Sequence, residues 1–332
     1  MMEYRPFGKL DLRVSAVGLG TWVMGGWLWG SADEKEAEAA VEAAIAGGVT
    51  LIDTAPVYGF GVAEEIVGRV VKRLKARDRV VLATKFGLEW DKKKQTIKRN
   101  SSCARLLKEI DDSRKRLKTD VIDIYQVHWP DESVPFQETM ENLYRLYLSG
   151  VIRAIGVSNF SVAQMTECMK SAPLHSLQPP YNLFERGIEE EILPFCQKNA
   201  IAVLSYGAIC RGLLSGKFKT GQQFPPEDIR SWDPKFRHGT IEKYLAAAER
   251  LKTIAKEKKA TTSQLAIQWA ARRTGVTAAL AGARNVRQAR ENAGAFGFEL
   301  NAEDMARIEA IVAEEVPNPI GPEFMAPPRS LP

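Results

Sequence analysis

Cysteine and histidine are scarce: the 332 residues hold four of the first and three of the second. Cys103, Cys168, Cys196 and Cys210 lie 65, 28 and 14 residues apart, which makes neither a CxxC pair nor a zinc pattern. A chain of this length needs no disulfide staple. Three histidines leave no His-rich site, so no metal is expected. No apolar run reaches the roughly 18 residues of a membrane-span candidate, and the opening MMEYRPFGKL has no signal-peptide core. A cytoplasmic protein is expected. A complete GxGxxG is missing: GLGTWV (18–23) lacks the third glycine and GFGVAE (59–64) fails too, which argues against a Rossmann dinucleotide site. Nor is charge of one sign in large excess, at +5 net with pI about 8.9. The two dense basic runs, KRLKAR (72–77) and KKKQTIKR (92–99), carry no interleaved aromatics. The first is read as the solvated face of a helix, and no nucleic-acid partner is expected.

What the sequence does have is alternation. Short apolar runs recur at 13–20, 49–55, 80–86, 121–128, 152–159, 175–182, 201–208 and 277–283, with amphipathic windows between them. In DEKEAEAAVEAAIAGG (33–48), alanine and valine recur at helical spacing. Asp33 is placed to cap that helix, and Gly47 and Gly48 to end it. Strand–helix units repeated eight times predict an α/β fold with a parallel sheet, and eight units can close into a (β/α)8 TIM barrel. One barrel domain is expected over 1–332. EYRPFGKLDLRVS forms a β-hairpin plug turning near Gly8, and extra C-terminal helices lie at 241–258 and 261–273. The stretch at about 211–239 reads as a polar, proline-bearing loop, and 314–332 as an irregular proline-rich tail.

In such a barrel, function sits on the loops after the C-terminal ends of the strands. Asp53 ends the second run with Tyr58 five residues on; Lys85 ends the third, His128 the fourth, and Ser158 and Asn159 the fifth. Gln178 lies in the sixth and Tyr206 ends the seventh. Taken singly, Asp53 reads as a loop cap, Tyr58 as a rim aromatic and His128 as a satisfied core histidine. Lys85 follows VVLAT, where solvent does not reach. Taken together they suit carbonyl reduction. That reaction needs a proton for the developing alkoxide and a hydride that no side chain supplies, hence a nicotinamide. A phenol with pKa about 10 is a poor acid–base group at neutral pH unless perturbed. Lys85 is expected to lower the Tyr58 pKa, Asp53 to hold and neutralise Lys85, and His128 to donate a hydrogen bond to the substrate oxygen.

LIDTAPVYGFGVAEEIVGR (51–69), VLATKF (81–86), DIYQVHWPD (123–131) and GVIRAIGVSNF (150–160) resemble, in order and spacing, successive signatures of the aldo-keto reductase superfamily. The resemblance covers essentially the whole chain. It implies Asp53, Tyr58, Lys85 and His128 as the catalytic tetrad. It implies cofactor contacts at Gly20, Thr21, Trp22 and Asp53; at Ser158, Asn159 and Gln178 for the carboxamide; and at Tyr206 stacked on the nicotinamide. Gly207, Ala208, Ile209, Cys210, Arg211, Gly212, Leu213 and Lys217 resemble the loop that covers the pyrophosphate. Gly282, Arg284, Gln288, Glu291 and Asn292 match the adenosine site. Trp22, Tyr58, Phe60, His128 and Trp129 are the expected pocket walls, with Trp27 and Trp29 on the same loops. Cys210 reads as a small packed hydrophobe.

The sequence departs from the mammalian reductases, which have Lys and Ser where Gly282 and Ala283 stand, and Arg in place of Gln288. YGAICRGLLSGK and GPEFMAPP resemble instead a bacterial general-stress reductase subfamily near the potassium-channel β-subunit branch. No acidic residue lies in 282–290, and Arg284 precedes a helix starting near Asn285. NADPH is therefore expected, with NADH binding more weakly. The expected partner is a small carbonyl compound, with no membrane; the oligomeric state is open. Two other readings remain open: a cofactor-binding sensor or partner protein of the channel β-subunit type, and a lyase or isomerase using Lys85 as a Schiff base.

Overall fold

Twelve short strands form among the described residues of the computed structural model, which are 2–30, 32–91, 93 and 96–328. They are β1 (Tyr4–Phe7), β2 (Leu10–Ser15), β3 (Val17–Gly20), β4 (Leu51–Asp53), β5 (Val81–Phe86), β6 (Leu88–Asp91), β7 (Thr96–Arg99), β8 (Ile122–Val127), β9 (Ile152–Ser158), β10 (Ser176–Gln178), β11 (Ala202–Ser205) and β12 (Val276–Gly282). Eight of them close into one parallel barrel in the order β10, β11, β12, β3, β4, β5, β8, β9. β1–β2 and β6–β7 are separate antiparallel hairpins.

Because side chains alternate along a strand, each barrel strand sends every second residue inward. Leu51, Val81, Ala83, Ile124, Ala154, Ala202, Leu204, Ala278 and Leu280 form one apolar cluster. Phe7 and Val14 of the first hairpin join that cluster with no exposed surface, so the hairpin plugs the barrel floor. Burying a phenylalanine in this way contributes about 1.5–3 kcal/mol. The plug turns at Gly8, whose φ of +57° and approach to the Ala200 carbonyl, 2.5 Å from any added Cβ, leave no room for another residue. The outward residues pack under the surrounding helices in a larger apolar layer.

The helix expected at 33–48 spans Glu34–Ala46, with the Asp33 carboxylate accepting from the Lys35 and Glu36 amides. Helices Ile241–Glu257 and Thr262–Arg272 match the two expected late windows. Other expectations need correction. The sixth strand stops at Gln178 because Pro179 and Pro180 follow. The helix meant to carry 72–77 ends at Arg73. Arg77 is half-buried and engaged: it donates to Thr119 Oγ1 and the Val121 carbonyl and pairs with buried Asp123 at 2.9 Å. The segment expected as a loop over 211–239 carries helical turns at Cys210–Ser215, Ile229–Trp232 and Pro234–Phe236. At the end of the chain a helix runs through to Glu315, past the expected boundary at 314, and a further turn forms at Glu323–Met325. The β6–β7 hairpin stands on the run 92–99, of which Lys92, Lys94 and Gln95 lie outside the described residues.

Candidate active site

Above the apolar floor, the inward positions turn polar at the strand tops. Asp53 closes β4, Lys85 lies near the end of β5, and His128 follows β8. Lys85 has no exposed surface, and its Nζ donates to Asp53 Oδ2 at 2.7 Å, to the Thr54 carbonyl at 3.0 Å and to Tyr58 Oη at 3.3 Å. The sequence thus brings together acid, cation and phenol. The His128 ring meets the Tyr58 ring edge to face at 5.8 Å, which completes the four expected neighbours. Tyr58 is carried to this place by touching loops. Gly59, at φ +65°, lies so close to Gly25 that an added Cβ would fall 2.3 Å from its carbonyl oxygen.

The electrostatics correct one expectation. Burial, and then the Asp53 carboxylate, push the Tyr58 phenol well above its ordinary value. That rise outweighs the lowering expected from the Lys85 ammonium, which donates to the phenol oxygen at 3.3 Å. Burial also lowers Lys85, against the pull of Asp53. It lowers His128 well below 6.5, with the Lys85 charge adding to the effect. At neutral pH the site therefore presents a protonated phenol and a neutral imidazole.

Around this centre lies an amide network. Gln178 Nε2 donates to Asp53 Oδ1 at 2.7 Å. The Ser158 hydroxyl donates to the Gln178 carbonyl at 2.8 Å, and Asn159 Nδ2 donates to the His128 carbonyl and to Ser158 Oγ, both at 3.0 Å. Tyr206 Oη donates to Asn159 Oδ1 at 2.8 Å. The Thr21 hydroxyl donates to the Asp53 carbonyl at 3.0 Å. An aromatic wall rises on one side: Trp22 stacks on Tyr58 at 5.9 Å, Trp27 meets Phe60 at a tilt with centroids 5.2 Å apart, and Phe60 approaches Trp90 of β6 at 6.2 Å. Trp129 joins the same cluster, with the Arg99 guanidinium over its ring at 5.6 Å. Trp90 and Arg99 were not expected; LEWD and TIKR are too short and too charged to stand out from loop.

The remaining expected positions divide. Gly20 and Gly282 stand side by side on β3 and β12. Arg284 precedes the helix Val286–Ala293, donates to the Trp29 carbonyl at 2.5 Å and lies 5.9 Å from that indole ring. Gln288 turns back to accept from the Arg284 amide at 2.8 Å, and Asn292 donates to the Gly282 carbonyl at 3.0 Å. Glu291 accepts from the Thr261 hydroxyl at 2.9 Å, and Lys217 is exposed. In the expected pyrophosphate segment, Ala208 and Leu213 are fully buried, Ile209 is half-buried, and Gly207 and Gly212 take positive φ. The Arg211 side chain is spent on a closed cluster, pairing with Glu185 and, at 2.6 Å, with Asp233. Cys210 is fully buried and its thiol is pushed up to about 12 by burial, as suits a packed hydrophobe. Arg230, not expected either, is held by Asp228 and packs over Trp29 at 5.5 Å, beside Arg284. Among the described residues no group of three or more His, Cys, Asp or Glu is placed to hold a metal ion. No helix among them is long and apolar enough to cross a membrane.

With this geometry in view, comparison with known proteins is informative. The model of the aldo/keto reductase family matches residues 16–313. The chain is 47% identical over 328 residues to the aldo-keto reductase YhdN of Bacillus subtilis, covering 98% of each. It is 33% identical to the NADH-specific methylglyoxal reductase of Escherichia coli, covering 91% of this chain and 96% of that one. The solved structure of the glycerol dehydrogenase AKR11B4 from Gluconobacter oxydans superposes with a TM-score of 0.88 at 44% identity, over 97% of this chain and 99% of that one.

Proposed function

The chain belongs to the aldo/keto reductase family, and from that membership we propose that it reduces small aldehydes and ketones to alcohols with NADPH, Tyr58 giving the proton. The observation that carries this reading is the relay of Tyr58 Oη, 3.3 Å from Lys85 Nζ, which is itself 2.7 Å from Asp53.

The donor set suits a nicotinamide dinucleotide. Ser158, Asn159 and Gln178 offer the hydroxyl and amide groups that a carboxamide needs, and the Tyr206 ring stands beside them. Arg284 at a helix N-terminus suits a phosphate. The side-chain-free positions Gly20 and Gly282 leave room between. When bound, the dinucleotide supplies the hydride. The protein's residues do the rest. Neutral His128 donates a hydrogen bond to the carbonyl oxygen and fixes its orientation. The Tyr58 phenol, kept protonated by burial, gives its proton to the alkoxide as charge develops. Lys85 stabilises the phenolate left behind, and Asp53 keeps Lys85 charged despite its burial. The indoles of Trp22, Trp27 and Trp129 hold water back from the reacting centre. A Schiff base on Lys85 is disfavoured, since three acceptors already engage its ammonium.

The substrates named for the two relatives, methylglyoxal and glycerol, are small and oxygen-rich. Assays with methylglyoxal, glyceraldehyde and simple ketones are the direct test, and absence of turnover on all of them would favour the sensor reading. Cofactor choice needs its own measurement, because the Escherichia coli relative is NADH-specific. Kd for NADPH is expected to be lower than for NADH, and Arg284→Ala is expected to weaken NADPH alone, by about tenfold or more. Equal Kd values in the wild type, or equal losses in the variant, would remove the phosphate role from Arg284.

A further inference from the structure

The barrel interior between the apolar floor and Asp53 holds two buried polar atoms with no hydrogen-bond partner in the protein: Gln126 Oε1 and Ser176 Oγ. Both residues have no exposed surface. Buried polar atoms are nearly always satisfied, by protein or by ordered water, so two such atoms in one place call for an explanation. Strand register puts them together. Gln126 of β8 and Ser176 of β10 flank the same residue of β9, Gly156. An added Cβ at Gly156 would lie 2.4 Å from Ser176 Oγ, 2.7 Å from Gln126 Cγ and 3.4 Å from Gln126 Oε1, so both polar atoms stand close over that glycine. The other end of the same glutamine points at the reaction centre: Gln126 Nε2 lies 3.5 Å from Asp53 Oδ1, the oxygen already bound by Gln178.

We propose that Gln126 is a positioning residue for the Asp53–Lys85 pair, held in register by an internal water that bridges Gln126 Oε1 and the Ser176 hydroxyl over Gly156. Such a water accepts from the serine hydroxyl and donates to the amide oxygen. That pins the amide plane and leaves Nε2 as a donor to Asp53. The device rests on the proposed role of Tyr58. After burial, the Asp53 carboxylate is the second cause that raises the Tyr58 phenol, so a donor on that carboxylate tempers the negative charge the phenol meets. Gln126 touches neither substrate nor cofactor and acts entirely through Asp53.

The test is the pH profile of the purified enzyme run in both directions, because alcohol oxidation needs the Tyr58 phenolate and carbonyl reduction needs the phenol. Gln126→Leu removes the amide at similar volume. It is expected to move the onset of oxidation to higher pH and to lower kcat roughly tenfold with KM little changed, the scale of one hydrogen bond to a charged group. Ser176→Ala is expected to shift the onset in the same direction by less. A role in packing alone would lower Tm and leave the onset where it is in both variants, and that result overturns the proposal. A high-resolution crystal structure supplies an independent readout: a water within hydrogen-bond distance of both atoms is expected, and a site without one refutes the bridge. Tyr58→Phe run in parallel separates the two ideas. If it retains turnover, the assignment of Tyr58 fails first; if it is inactive while Gln126→Leu keeps wild-type kcat and onset, the positioning role fails by itself.

Discussion

Lys85 and Lys235 are both sealed from solvent, and both hold buried carboxylates, yet their surroundings are built for different ends. Lys85 has one carboxylate, Asp53, and its third contact is a phenol whose own shift keeps it protonated at neutral pH. Lys235 sits among Glu185 at 2.9 Å and Asp233 at 3.5 Å, with Arg211 closing the square, so two acids meet two bases. The C-terminal tail then covers that square: Lys235 donates to the Gly321 carbonyl at 3.0 Å, and the Phe324 ring lies 5.4 Å from the Arg211 guanidinium and 5.5 Å from Lys235. A compensated cluster capped by an aromatic is a clasp. A pair with an uncompensated phenol beside it is a place for chemistry. Burial of a lysine does not distinguish the two; what lies on its third side does.

Rate separates them most strongly. Tyr58→Phe removes the proton donor and is expected to lower carbonyl reduction by at least about 10²-fold while NADPH binding, followed by quenching of tryptophan fluorescence, stays near wild type. A variant that turns over normally would leave the Lys85 pair without its distinguishing feature. Lys235→Met, by contrast, is expected to leave kcat per folded molecule within about twofold of wild type, since its partners are Glu185, Asp233, Gly321 and Phe324 and none of the proposed catalytic four.

Stability should fail to separate them, which sharpens the point. Removing one partner of a buried ion pair strands the other, at a cost of about 3–5 kcal/mol. Lys85→Met strands Asp53, and Lys235→Met leaves Glu185 and Asp233 to Arg211 alone. Urea midpoints should fall in both variants, with activity per folded molecule abolished in the first alone. If Lys85→Met kept its activity, the pair at the strand tops would be structural as well.

The first cluster could be read in the sequence and the second could not, for physical reasons. Asp53, Lys85 and His128 stand at the ends of apolar runs, where a barrel places its function, so strand ends alone name them. The barrel and its plug were legible for the same reason, since period-two and period-3.6 patterns report burial directly. Glu185, Arg211, Asp233 and Lys235 come from irregular segments with no period, and nothing local says that they meet. Arg211 was accordingly read within the loop resembling the pyrophosphate cover, and no sequence signal pointed to the clasp its guanidinium joins. Gln126 carried a readable signal: it lies two residues before His128 on a strand whose even-numbered residues face inward, the face of Ile124. The shift of Tyr58 was misjudged because a neighbouring lysine is visible in sequence, whereas the burial of the phenol, the largest cause of its rise, emerges only on folding.

Acid stability should resolve the two clusters into separate pH windows, with the smallest effect of the three. Glu185 is pushed up by burial, but Arg211 and Lys235 outweigh that and hold it below 4.5. A lowered carboxylate contributes stability that is present above the unfolded value and is lost as pH falls through the folded one, so the Glu185 contribution fades below pH 4.5. His128, beside Lys85, is lowered well below 6.5 by burial and then by the lysine charge. Above that value both states leave the imidazole neutral and no stability depends on it. As pH falls below 6.5 the unfolded chain takes up a proton that the folded site refuses, and stability drops with a slope approaching about 1.4 kcal/mol per pH unit. His175 is also lowered, chiefly by burial, and loses stability in the same direction; it is present in both proteins of a comparison between wild type and His128→Gln, so the difference isolates His128. Urea midpoints measured from pH 7.5 down to 5 should converge for the two at the alkaline end, while the variant falls less steeply on the acid side. Parallel curves would mean that His128 takes up its proton in the folded state, and the neutral imidazole assigned to the reaction centre would have to be given up.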